Sequence, residues 1–119
     1  MNNTTFSIKQ NDTLPTLTYA IRTTGNLGED IAYNLSGTSS VNFNMISECN
    51  EMKIYSQSAT THCISGTSGV VVYNWTNGDT DTYGTYYGEF EVLFTNGKKM
   101  TIPTNNRIKI NIFKNLNNF

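Results

Sequence analysis

Nucleophilic catalysis in this 119-residue chain would have to pass through His62, its one histidine. Cys63 beside it is a nucleophile by type, but consecutive residues of a strand point to opposite faces, so the two do not cooperate there. Glu89 and Glu91 are a second candidate, because two carboxylates on one strand face sit about 6 to 7 Å apart at the α-carbons, a pairing that a hydrolase could use. Their flanking alternation makes them solvent-face residues. The loop Asn77-Gly78-Asp79-Thr80-Asp81 offers oxygen atoms at alternate positions, as a hard cation requires. It lacks a carboxylate for bidentate closure, and Asp79 and Thr80 are expected to bond local backbone as in an ordinary turn. Trp75, Tyr83 and Tyr87 have the apolar body and polar tip on which a sugar ring stacks, although Trp75 is expected in the core and the tyrosines partly exposed. The sequence thus assigns no catalytic residue, metal ligand or cofactor site.

The elements that must position these groups are centred on residues 69–103. Val71, Tyr73 and Trp75 alternate with Val70, Val72 and Asn74, the period of two of a strand. The next run places Tyr86, Gly88, Phe90, Val92 and Phe94 on one face and Thr85, Tyr87, Glu89, Glu91 and Leu93 on the other. A two-residue Asn96-Gly97 turn after it would mix core and solvent residues, since a one-residue slip inverts every face. A three-residue loop of Thr95, Asn96 and Gly97, with Gly97 left-handed, sets Phe90 opposite Ile102, Val92 opposite Met100 and Glu91 opposite Thr101. The spacing Gly84-x-Tyr86-x-Gly88 has the form of a tyrosine corner, in which a tyrosine near a strand start ties its hydroxyl to the upstream loop; Gly88 stands where antibody domains have a cysteine.

Elsewhere, Phe6 and Ile8 predict a short edge strand. Leu17, Tyr19 and Ile21 predict a second strand that begins after Pro15, and Val41, Phe43 and Met45 a third with an outward amide face. Residues 23–40 lose the pattern and read as a long connection that could carry contacts. Lys53 to Tyr55 and Ala59 to Ile64 read as an edge hairpin, and Ile108, Ile110 and Ile112 as a final core strand. No segment has apolar residues at helical spacing over three turns, so the fold class is all-β: an immunoglobulin-like antiparallel sandwich of two packed sheets, in one domain over residues 1–119.

The residues Val71-x-Tyr73-x-Trp75, Asp79-Thr80, Gly84-x-Tyr86, Glu89-Phe90-x-Val92, Gly97 and Thr101-x-Pro103 resemble the N-terminal module of phage baseplate upper proteins, the BppU family. Upstream, Asp12-x-Leu14-Pro15-x-Leu17, Gly37 and Val41-x-Phe43-x-Met45 are similar to that module's opening, so the likeness spans nearly the whole chain. It implies an immunoglobulin-like module that builds a virion and is not an enzyme, with Trp75, Gly84, Tyr86, Phe90 and Gly97 as structural positions. Typical members continue into receptor-binding segments, whereas this sequence stops with the sandwich. A lone module is therefore expected either to decorate the head or to belong to the tail or baseplate.

Composition narrows the partners. Charged residues make up 14% of the chain and the net charge is −1, which argues against a nucleic-acid partner. Beyond Glu91 come Lys98, Lys99, Arg107, Lys109 and Lys114 with no acid between them, a run that either guards exposed strand faces or docks on an acidic surface. No stretch approaches the ~20 apolar residues of a membrane helix. The opening MNNTTFSIK lacks the marks of a signal peptide, so synthesis in a bacterial cytoplasm and assembly into a virion is the expectation. Cys49 and Cys63 could form a bridge, with two free thiols as the alternative. The polar tails, 1–5 and 114–119, usually fray unless tied down, so partners are expected to order them, with Phe113 and Phe119 as anchors. Lys98, Lys99, Arg107, Lys109, Phe113 and Phe119 are accordingly the candidate contacts to other virion proteins, in many copies on a symmetric particle. The alternative function is a glycan-binding module that aids host attachment through Tyr83, Tyr87 and the polar loops.

Overall fold

The computed structural model describes residues 5–61, 69–104 and 106–116. Its strands are β1 (Thr5–Lys9), β2 (Leu17–Ala20), β3 (Arg22–Thr24), β4 (Asp30–Ala32), β5 (Thr38–Ser47), β6 (Met52–Thr61), β7 (Val70–Tyr73), β8 (Gly84–Phe94), β9 (Lys99–Ile102) and β10 (Ile108–Phe113). They form an immunoglobulin-like β-sandwich, with no α-helix among the described residues. The main path runs β1-β10-β8-β5-β6-β7-β2, β9 pairs with β8, and β3 and β4 make a separate two-stranded sheet.

β8 is the centre of the larger layer. One edge of it pairs with β5 along almost its whole length; the other is divided between β10, at Gly84 to Gly88, and β9, at Phe90 to Leu93. The predicted register holds: Phe90 faces Ile102, Glu91 faces Thr101 and Val92 faces Met100. The loop closes with the Phe94 amide donating to the Lys98 carbonyl at 2.9 Å, and Gly97 has φ +86°, a conformation open to glycine at little cost.

Alternation then builds the core. Phe43, Met45, Phe90, Val92, Ile108 and Ile110 from the larger layer pack with Leu17, Val71 and Tyr73 from the smaller one, all of them buried. Rings dominate the contact between layers: Phe43 lies 4.6 Å from Tyr73, 5.0 Å from Phe90 and 6.0 Å from Trp75, centroid to centroid. Trp75 is a core residue, held edge-on to Tyr73 at 5.3 Å. Separations in this range are those at which tilted and edge-to-face aromatic pairs attract beyond their buried area.

Three expectations are corrected. The segment from 23 to 40 is not a bare connection, because it contains β4 and, with Arg22, β3. These strands pair through backbone and polar groups, the Arg22 guanidinium donating to the Asp30 carbonyl at 2.9 Å, so no apolar period announced them. The proposed edge hairpin at 53–64 is one ten-residue strand inside the sheet, as far as the described residues reach. Its phase changes at an irregularity around Ser56 (φ +51°), whose amide donates to Asn44 Oδ1 at 2.7 Å, and this bulge broke the alternation into two apparent pieces. Past the bulge, β6 stays paired with β5 through Gln57, Ser58 and Ala59 and then pairs with β7 at Thr60 and Thr61, which makes it the strand that joins the two layers. Finally, the pairing is not wholly antiparallel. β1 does lie at the sheet edge, but it runs parallel to β10.

Candidate binding face

One end of the sandwich is closed by the loop between β7 and β8. Asp79 Oδ2 accepts from the Tyr73 hydroxyl at 2.6 Å, from the Thr76 amide at 2.9 Å and from the Thr76 hydroxyl at 3.0 Å. Burial, reinforced by the Asp79 carboxylate, pushes the Tyr73 phenol well above its usual pKa, so it remains a donor. Thr80, buried, donates to the Asp12 carbonyl at 2.8 Å, and the Asn11 amide donates to the Thr80 carbonyl at 2.9 Å, which fastens this loop to the one between β1 and β2. The tyrosine corner exists: the Tyr86 hydroxyl donates to the Thr82 carbonyl at 2.8 Å. Gly84 opens β8 opposite Ile112. Asp79 Oδ2 is thus engaged within the turn, the Thr80 hydroxyl on the neighbouring loop and Asp81 Oδ1 by Lys53 of β6. Among the described residues no group of three or more His, Cys, Asp or Glu is placed to hold a metal ion.

The outward face of β8 is different in character. Tyr87, Glu89 and Glu91 stand opposite Ile46, Asn44 and Asn42 of β5. All six are half-buried, because they lie on central strands and shield one another. Across β8, Lys109 stands opposite Tyr87, and the Arg107 guanidinium lies 5.4 Å from the Tyr87 ring centroid, in cation–π range. Lys99 Nζ is 3.8 Å from Glu91 Oε2. Two adjoining depressions, of about 470 and 760 Å³, share Tyr87, Glu89 and Arg107. The first extends over Asn44 and Glu91 to Met52 and the exposed Tyr55 of β6.

The sequence-predicted contacts therefore separate. Lys99, Arg107 and Lys109 share the outer sheet face with Glu89 and Glu91, so in space the cations are interleaved with acids rather than forming a basic patch. Lys98 is exposed in the turn before β9. Phe113, exposed at the far end of β10, lies at the opposite end of the sheet, next to Lys9. Phe119, His62, Cys63 and most of the tail residues lie outside the described residues. Cys49 is an exposed thiol after β5. Of the proposed sugar platform, Trp75 is in the core, and Tyr83 is outside both depressions with Lys114 Nζ 5.6 Å from its ring centroid; Tyr87 remains on the candidate face. Tyr55 and Asn44 were missed. The signal for Tyr55 was present in its alternation with buried Ile54, but reading β6 as an edge hairpin separated it from β5.

No family model matches this chain, and no curated protein matches it in sequence. Among solved structures it is similar to CopC from Methylosinus trichosporium OB3b, at a TM-score of 0.51 and 7% identity, over 94% of this chain and 86% of that one. At that identity the likeness is one of fold alone. The chain is an all-β sandwich protein with a closed, hydrogen-bonded end and a grooved outer sheet face.

Proposed function

We propose that this protein is a non-enzymatic structural module of a bacteriophage virion. It docks on other virion proteins as an auxiliary or decorating capsid protein, or as a component of the tail or baseplate. The observation that supports this reading is where the motif residues of the baseplate-upper-protein resemblance go. Tyr73 and Asp79 bond each other, Thr80 ties its loop to Asp12, Tyr86 makes the corner, and Gly97 makes the turn between β8 and β9. These motif residues stiffen a frame, as a virion part needs, while Glu89, Thr101 and Pro103 of the same motif lie on the outer face. Repetition on a symmetric lattice lets many modest contacts hold together through avidity. Lys98, Phe113 and the tails are the contacts to other virion proteins in this reading.

Immunogold electron microscopy of phage particles, with antibody raised to the purified domain, tests it. Label over the heads places the protein on the capsid, and label at the tail tip places it in the baseplate. Intact and partly disrupted particles without label would overturn the proposal.

A further inference from the structure

We infer that the groove on the outer face of β5, β6 and β8 is a binding site for a neutral oligosaccharide. The inference concerns a different surface from the stiffened end and does not depend on the virion reading.

Register carries the argument. In the groove Asn44 stands directly opposite Glu89, so an amide and a carboxylate meet there, and Glu91 follows on the same face, its partner Asn42 lying outside the two depressions. Cross-strand neighbours have β-carbons about 4.5–5.5 Å apart. The Asn44–Glu89 row thus presents carboxylate acceptors beside an amide donor, and a sugar hydroxyl, which both donates and accepts, is satisfied by that combination. Asn44 Oδ1 is occupied by the Ser56 amide, which orients its NH₂ group as the available donor.

The row beyond Glu89 is Tyr87, and the groove's opposite wall carries Tyr55. An aromatic ring offers a sugar its apolar face, and Tyr55 is 73% exposed on a strand whose neighbouring Ile54 is in the core. Such exposure of a large ring beside polar, half-buried groups is what an amphipathic ligand requires. Arg107 stacks on Tyr87, which restrains its guanidinium at the point where the two depressions meet and supplies further donors. Each depression is within the ~300–1,000 Å³ of small-ligand sites, and their shared residues make one elongated groove suited to a chain of sugar rings.

Charge selects among ligands. Glu89 and Glu91 disfavour a phosphate or an acidic sugar, while Arg107, with Lys109 beside Tyr87, disfavours a cationic peptide. A neutral ligand rich in hydroxyls meets neither penalty.

The probe is a microarray of neutral and acidic oligosaccharides incubated with the purified full chain, followed by titration of the ¹⁵N-labelled protein with the strongest neutral hit. The expected result is binding to neutral glycans, with amide shifts at residues 44, 55 and 87–91. Tyr55→Ala and Glu89→Gln should each weaken it at least about tenfold, while Tyr83→Ala, outside the groove, leaves it unchanged. Tyr55 is exposed, so its truncation does not endanger the fold. No bound neutral glycan, a preference for acidic glycans, or affinity unaltered in both groove variants would overturn the inference. None of these results bears on where immunogold label falls, so the two proposals fail separately.

Discussion

The Tyr86 hydroxyl donates a 2.8 Å hydrogen bond to the carbonyl oxygen of Thr82, four residues earlier, across the sharp entry into β8. The ring itself is in the core, so the bond anchors the loop to the most central strand. Tyr86→Phe keeps the packing and deletes only the bond. It should cost about 1–2 kcal/mol, the range for losing a part-buried hydrogen bond whose acceptor is left behind. The check is the urea midpoint of the variant, with an unchanged slope showing that the unfolded state is not involved.

Tyr73 makes a further prediction because its phenol is held neutral by burial and by Asp79. Its folded pKa lies above the unfolded value, so the folded state resists loss of the proton. The associated stability is fully present below about pH 10, the unfolded tyrosine value, and is lost as pH rises toward the folded value. Tyr73→Phe should lower stability at neutral pH and flatten the decline above about pH 10. Tyr19 and Tyr86 are also raised by burial, so the variant retains a residual alkaline slope. Denaturant melts at a series of alkaline pH values measure this directly.

An ion pair between Lys53 of β6 and Asp81 of the loop before β8 acts at the acid end. Hydrogen bonding from Lys53 holds the Asp81 carboxyl below its usual range. Here the sign is opposite: the stabilisation is present above the unfolded value of about 3.9 and disappears as pH falls through the folded value. Asp81 is about half exposed, so solvent screening keeps the effect small. Lys53→Met should reduce the stability lost on acidification below about pH 4. In 1 M salt the difference between variant and parent should shrink, since the Debye length there is about 3 Å. A difference that grows with salt would mean that the pair does not act through charge.

How much was readable in advance follows from which signals the chain carries locally. The register of β8 on β9 could be derived because Phe90, Val92, Met100 and Ile102 admit one pairing that keeps both faces consistent, and the left-handed Gly97 supports it. Tyr86 was legible for a similar reason, since its spacing from Gly84 states a local bond. β6 was not legible, because the bulge at Ser56 depends on a side chain from another strand, Asn44, that sequence order does not place beside it. That one error also concealed the groove, whose far wall is Tyr55. β3 and β4 were hidden for a different reason: residues that bury almost nothing have no hydrophobic period to read. The pairing of the charges was not legible from their order, because Lys99 and Glu91 are eight residues apart in the chain yet near neighbours across a hairpin.

Gly88 gives the strictest test of the core. Its position in the corner motif is where antibody domains have cysteine, but here a β-carbon would stand 2.8 Å from Phe43 Cζ and 2.9 Å from Ile110 Cδ1. Neither neighbour has slack: both are fully buried, and Phe43 is packed against Tyr73, Trp75 and Phe90. The backbone conformation is not the obstacle, as Gly88 is an ordinary strand residue and pairs with both Met45 and Ile108. Gly88→Ala therefore reports overpacking, offset in part by the smaller entropy of alanine in the unfolded chain, and should destabilise by about 1–3 kcal/mol. Combining it with Ile110→Val, which removes the Cδ1 in the way, should cost less than the sum of the two single changes, because residues that share a contact are not additive. Additive costs in the double variant would show that the strain at Gly88 is not relieved through Ile110.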